Sequence, residues 1–319
     1  MPSLPPDCPD HPLFDFQVNG FGGVDFQQDD LSRSALRQAV RCLRAHGVGA
    51  IFATLITDEV DRLCRRLEHL ENLCQEDPEI SGMMAGYHLE GPWLSPEPGF
   101  RGAHPPEAMH APDRVEFDRL QAAARGRVRL VTLAPEWPGS ADFIAAVAGC
   151  GVSVALGHTN ASESDIDAAI GAGARFCTHL GNAVPALLPR YGNVIQRLLA
   201  RDELTACLIP DGVHLPPFVL QNFFRAKPPG RVLFTTDAMA GAAAPPGRYS
   251  LGRLQIAVGA DGIARQPGGT GVAGSTLTPD DGVRRCASYL GLTLEEARRL
   301  WSTEAAIAFG VELPAIDPQ

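Results

Sequence analysis

Met83-Met84-Ala85-Gly86-Tyr87-His88-Leu89-Glu90-Gly91-Pro92 is a largely apolar run that stops at a carboxylate and a Gly-Pro pair. Such a run, bounded by turn residues, reads as a strand buried on both faces, with Glu90 as its last residue. Seven more runs of this kind lie at 14–18, 49–55, 128–134, 152–157, 175–179, 205–210 and 232–236. Helical patterns separate them at 31–46, 59–74, 112–124, 140–148, 162–170 and 216–225. The first of these is expected to start at an aspartate cap, and the second carries a leucine stripe at Leu63, Leu67, Leu70 and Leu73. Strands alternating with helices imply a parallel sheet with crossover helices. Eight such units imply an α/β fold of the (β/α)8 TIM-barrel type, one domain over 1–319. Residues 1–12 read as an N-terminal arm. Residues 245–272 read as a hairpin-type insertion after strand eight, with strands at 249–258 and 262–264. Closing helices follow at 279–289, behind a Thr-x-x-Asp capping signal, and at 293–309.

Active sites of such barrels lie at the C-terminal ends of the strands. Working outward from Glu90, His158 ends the fifth run in Leu156-Gly157-His158-Thr159, and His179 ends the sixth in Cys177-Thr178-His179-Leu180. Asp237 ends the eighth in Thr235-Thr236-Asp237-Ala238. One strand-end histidine is more often structural than a ligand; four chemistry-bearing residues on one rim argue for a site. Glu90, His158 and His179 form a set that holds one divalent metal ion and leaves a position for water. Zinc suits it first, and Fe, Mn or Co fit as well. Asp237, off the metal, is then the general acid/base.

Other groups on the same rim are weaker signals, each also readable as an ordinary polar loop. Gln17 and Asn19, one residue apart at the end of the first strand, share a side and are expected to hold water or substrate. Gly102-Ala103-His104 brings backbone close to a ligand, and His104 is placed to donate to a carbonyl oxygen. Asn182 and Ala183, followed by Arg190, suit a phosphate. His214 in Asp211-Gly212-Val213-His214 adds a polar group, and Val272-Ala273 sit in a glycine turn before a helix. Trp93 and Trp137 read as packing, with a sugar-pocket wall as the alternative.

The net charge of -10 argues against a nucleic-acid binder, and 45% hydrophobic with 20% charged residues suits a soluble globular chain. The longest apolar stretch, 143–156, is broken by glycines and too short to span a bilayer, so no membrane partner is expected. No signal peptide is visible in 1–12. The eight cysteines form no C-x-x-C pair and read as thiols in a reducing compartment, so the chain is expected to be cytoplasmic.

These motifs together resemble the N-acetylglucosamine-6-phosphate deacetylases of the amidohydrolase superfamily. The resemblance is carried by Asp15-Phe16-Gln17-Val18-Asn19-Gly20-Phe21-Gly22-Gly23, His88-Leu89-Glu90-Gly91-Pro92, Gly102-Ala103-His104-Pro105 and Gly157-His158-Thr159-Asn160-Ala161. Thr178-His179-Leu180-Gly181-Asn182-Ala183, Asp211-Gly212-Val213-His214, Thr236-Asp237-Ala238-Met239 and Ala273-Gly274-Ser275 extend it. It implies metal ligation by Glu90, His158 and His179 and acid/base work by Asp237. It implies contacts of His104 and His214 with the sugar or acetyl group, phosphate contacts from Asn182, Ala183 and Arg190, and substrate contacts from Ala103, Val272 and Ala273. It further implies a homodimer, as is common among such enzymes. Gln17 and Asn19 stand where some members carry His-x-His for a second metal. The family's small accessory β-sandwich is expected to be missing. Gly181, where the family more often has Phe, is expected to open the pocket wall, and the 190–193 segment departs from the family pattern.

The resulting expectation is a metal-dependent hydrolase that converts N-acetylglucosamine 6-phosphate to glucosamine 6-phosphate and acetate. The alternatives are a deacetylase of another acylated amine (N-acetylgalactosamine 6-phosphate, an unphosphorylated amino sugar or an N-acyl amino acid), or a non-catalytic sugar-phosphate binding protein.

Overall fold

The computed structural model describes residues 11–267 and 271–314. Eight parallel strands form one sheet in chain order: β1 Leu13–Val18, β2 Val48–Ile56, β3 Met84–Glu90, β4 Val128–Leu133, β5 Ser153–Leu156, β6 Phe176–Cys177, β7 Thr205–Leu208 and β8 Val232–Phe234. The seam between β1 and β8 is closed by few contacts. Val18 bridges Ala238, and the Asn19 N–H donates to Ala238 O at 2.8 Å. Lower on the seam, the buried Asp15 carboxylate accepts from the Thr235 and Thr236 hydroxyls, both at 2.5 Å. Burial pushes Asp15 up to about 6, against the pull of those hydrogen bonds.

Period-two alternation sorts the inward side chains into layers. The lower layer is apolar: Phe14, Phe16, Ala50, Phe52, Leu130, Ala155, Phe176, Cys207 and Leu233, closed from beneath by Phe309. Phe309 stacks on Phe176 at 4.6 Å between centroids and meets Phe16 at 4.8 Å. One step up, Phe52 gives way to Thr54, Leu130 to Thr132 and Phe176 to Thr178, and His88 joins them; all four are buried. One step further along β3 stands Glu90.

The helices follow the expected order with several differences. The first spans Arg33–Ala45 and is capped by Ser32, whose hydroxyl accepts from Ala35 N–H, not by an aspartate. Leu31 is buried, so the chain enters the helix from the core after Asp30. Thr278 holds the cap position of Pro279–Leu290, but its hydroxyl donates to Asp280 at 2.7 Å, so the expected reciprocal cap does not form. Complete capping boxes occur instead at Ser162/Asp165 and Thr293/Glu296. The final helix divides at Ser302 into Leu294–Trp301 and Thr303–Phe309. The Ser302 hydroxyl bonds back to Arg298 O at 2.9 Å, and the break lets Trp301 stack on Phe234 while Phe309 plugs the barrel. The Val194–Leu199 helix was not anticipated, although Asn193 is a readable cap that accepts from Gln196 N–H.

The insertion after β8 forms an antiparallel sheet of Gly247–Leu251, Leu254–Val258 and Ala264–Arg265. Its apolar face packs Leu251, Ile256 and Val258 against Ile56 and Met239 at the barrel mouth. No β-sandwich is present among the described residues. Residues 1–10 of the expected arm, Cys8 with them, and 268–270 of the insertion lie outside the described residues. The seven described cysteines are unpaired, and no described helix is long and apolar enough to cross a membrane.

Candidate active site

Strand β3 delivers Glu90 directly, while His158, His179 and Asp237 sit two or three residues beyond β5, β6 and β8. Those last three adopt positive φ angles of 51°, 31° and 51°. Such angles are uncommon for non-glycine residues and cost on the order of 1–3 kcal/mol each. These left-handed positions leave the extended strand path, and all three side chains line one cleft.

They converge on one carboxylate. Glu90 Oε1 lies 2.9 Å from His179 Nε2, 3.1 Å from His158 Nε2 and 3.1 Å from Gln17 Nε2, which donates to it. Burial acts to raise Glu90, but the imidazoles around it prevail and hold it well below the usual carboxylate range. The His158 Nδ1 is 3.0 Å from Phe100 O, which only accepts, so Nδ1 carries the hydrogen. His158 Nε2 and Glu90 Oε1 then face each other as two acceptors, an arrangement that requires a proton or a cation between them. The backbone carbonyl on the far nitrogen is also the partner that metal-bound histidines use. His179 Nδ1 is buried without a hydrogen-bond partner. This donor set fits a divalent metal.

His104 stands beside the set. The ligand atoms that lie within 4.8 Å of one another are those of Glu90, His104 and His158, with His179 outside that group although its Nε2 is 2.9 Å from Glu90 Oε1. His104 Nε2 is, however, 3.9 Å from Glu90 Oε2, farther than the other two imidazoles are from Oε1. Its Nδ1 is 2.9 Å from the Thr57 hydroxyl, which in turn reaches Glu90 O at 3.1 Å. Burial and the neighbouring His158 push His104 down to about 3, so its ring is neutral. Gly102 (φ 57°) lies against this pair, where an added Cβ would stand 3.0 Å from the His158 ring.

Asp237 is pushed up to about 7, first by burial and then by the Glu90 charge. Asn19 Nδ2 donates to its Oδ1 at 2.8 Å. The two first-strand amides therefore each hold a buried carboxylate, Gln17 on Glu90 and Asn19 on Asp237. Buried carboxylates need donors, and β1 supplies them, while Asn19 Oδ1 stays without a hydrogen-bond partner in the cleft that Asn19 lines.

One cleft is lined by Asn19, Glu90, Ala103, His104, His158, His179, Asn182, Ala183, His214, Asp237, Val272 and Ala273. His214 Nδ1 is held by Asp211 Oδ2 at 2.6 Å. Arg190 is not brought there. It lies exposed on the loop after β6, with its guanidinium 6.0 Å from the Tyr191 ring. Gly181 does not open the wall of this cleft. A Cβ there (φ 96°) would meet Leu215 and Phe223 at 2.9 Å, so Phe223 already fills that side. Trp93 is fully buried against Phe143, and Trp137 donates to Leu94 O; both pack rather than line the cleft. The sequence reading missed Ile56 and Leu251, an apolar wall at the mouth. Leu251 comes from the insertion, and nothing local in its sequence marks it as facing a site 14 residues back at Asp237.

An amidohydrolase family model matches residues 13–318. The N-acetylglucosamine-6-phosphate deacetylase of Bos taurus is 34% identical over 311 residues, covering 94% of this chain and 74% of that protein. The N-acetylgalactosamine-6-phosphate deacetylase of Escherichia coli O157:H7 is 32% identical over 308 residues, covering 96% and 78%. A mutant N-acetyl-D-glucosamine-6-phosphate deacetylase from Mycobacterium smegmatis, solved in complex with N-acetyl-D-glucosamine-6-phosphate, superposes with a TM-score of 0.85. It is 34% identical and the match covers 98% of this chain and 82% of that one. With the rim geometry above, these similarities place the chain in the amidohydrolase family and, within it, in the N-acetylglucosamine-6-phosphate deacetylase family.

Proposed function

We propose that the protein hydrolyses the acetamide of N-acetylglucosamine 6-phosphate, with Glu90, His158 and His179 holding one divalent ion, zinc first among candidates. The observation that carries this is the convergence of two imidazole Nε2 atoms on Glu90 Oε1. Such an ion acidifies water and polarises a carbonyl. Asp237 takes the proton of the attacking water and returns it to the departing amine nitrogen. Burial raises its affinity for protons, which suits taking the proton from water and passing it on. His104 Nε2 faces the cleft beside Glu90. The Thr57 N–H donates to His104 Nδ1 at 3.4 Å, which leaves the neutral ring's hydrogen on Nε2, where it can donate to the acetyl oxygen. His214, braced by Asp211, orients the sugar, and the backbone around Asn182 and Ala183 receives the phosphate, with Ala103, Val272 and Ala273 shaping the wall.

The test is a panel of acetylated amines given to zinc-loaded protein, with free amine as the readout. Turnover fastest on the 6-phosphate of N-acetylglucosamine is expected; no turnover of any acetylated amino sugar would refute the reading. A second reading is favoured by the position of Arg190 outside the cleft: the same machinery acting on another acylated amine, such as N-acetylgalactosamine 6-phosphate or an unphosphorylated sugar. Faster release from an unphosphorylated sugar would decide for it. The unpaired cysteines support a cytoplasmic setting. A homodimer is part of the proposal, supported by Leu187 and Tyr191, 92% and 80% exposed on the loop beside Arg190; sedimentation as a monomer would remove it.

A further inference from the structure

Beneath the cleft lies a line of polar side chains that the proposed chemistry does not use. Val18 N–H donates to Thr54 Oγ1 at 3.1 Å, and Thr54 Oγ1 lies 3.2 Å from His88 Nδ1. His88 Nε2 lies 2.7 Å from Thr132 Oγ1, which lies 2.6 Å from Thr178 Oγ1. All four side chains are buried, in an interior whose next layer down is wholly apolar. A neutral imidazole donates once and accepts once, so whichever nitrogen of His88 carries the hydrogen, one ring nitrogen donates and the other accepts, and the line stays continuous from Thr54 to Thr178. Each bond polarises the next.

The line crosses the barrel from β1 through β2, β3 and β4 to the residue after β6. Three of its members sit beside residues of the site: Val18 before Asn19, His88 two before Glu90 on the same face, and Thr178 before His179. To reach Thr178 from Thr132 it must pass over the end of β5. It does so at Gly157, where a Cβ would lie 2.9 Å from both Thr132 Cγ2 and Thr178 Cβ. The glycine before His158 thus makes room for the contact.

We propose that His88 is a positioning residue for the metal site. It makes the hub of a belt that locks the ends of β1, β3 and β6 together, so that Glu90 and His179 meet at one point. His88 does not line the cleft and touches no substrate. The inference rests on the metal reading above.

Two variants test it without removing the imidazole. Thr132→Val is isosteric and breaks the line on one side of His88; Gly157→Ala wedges Thr132 from Thr178. Zinc affinity is measured by competition with a coloured chelator, alongside kcat, KM and the urea midpoint. Each variant is expected to bind zinc ~10–100-fold more weakly, as when a ligand's support is lost. At saturating zinc, kcat should fall while KM stays within about twofold. The double variant should be no worse than the weaker single, because one line is broken once. If both variants lower the urea midpoint but keep wild-type zinc affinity and kcat, the belt is only structural and the inference falls alone. A wild-type protein that binds no zinc would sink the metal reading and this inference together.

Discussion

At its closed end the barrel gathers five phenylalanines, Phe14, Phe16, Phe52, Phe176 and Phe309; at its open end the same strands deliver Glu90, His158, His179 and Asp237. The closed end consists of apolar side chains in regular alternation, and its work is burial. The open end breaks alternation, carries positive φ at three of its four key residues, and leaves buried atoms such as His179 Nδ1 and Asn19 Oδ1 unpartnered. One end stores stability, and the other holds strain and unmet hydrogen bonds in place. Rigidity below lets the mouth keep charged groups in one another's reach.

The comparison breaks hardest at Asp237. Asp237→Asn should lower kcat ~10²–10⁴-fold while leaving metal content and melting temperature near wild type. Full activity with metal bound would show that the mouth needs no acid/base there. Phe309→Ala is the mirror experiment: a loss of about 3–5 kcal/mol in urea unfolding is expected, with kcat per folded molecule unchanged. A change in kcat without loss of stability would mean that the two ends are not divided as described. Removing metal with a chelator should cost about 4 kcal/mol relative to protein in zinc at 1,000 times its Kd, seen as a lower melting temperature. Equal melting with and without chelator would count against a metal at the mouth.

The smallest expected effect sharpens the boundary at the seam. Asp15 is raised to about 6 in the fold against 3.8 in the open chain. The folded state therefore binds this proton more tightly, so its contribution is fully present below pH about 4 and is lost as pH rises through about 6. The shift corresponds to about 3 kcal/mol. The stability gap between wild type and Asp15→Asn, followed in urea, should move by up to that amount toward the variant between pH 4 and pH 7. A flat difference would show that the seam carboxylate is not held neutral by burial.

Much of this was legible in one sequence. All eight barrel strands were read within a few residues, because parallel strands buried on both faces must be apolar runs and their helical partners must carry stripes such as Leu63, Leu67 and Leu70. The strand-end positions of Glu90, His158, His179 and Asp237 follow from that reading. Less legible were features decided over long distances. Arg190 reads as a phosphate partner beside Asn182, yet its loop carries it away from the cleft. Gly181 reads as a gap, yet Phe223 on a later helix fills it.

Composition and period therefore settled the barrel and nominated its rim, since both follow from which residues bury and how often. The tertiary structure alone decided that Gln17 serves Glu90 and Asn19 serves Asp237. It alone joined Thr54, His88, Thr132 and Thr178 into one line, and brought Leu251 to the mouth. The hydrogen bonds among them join residues 34 to 218 positions apart in the chain, set by strand register and strained turns that no local pattern encodes.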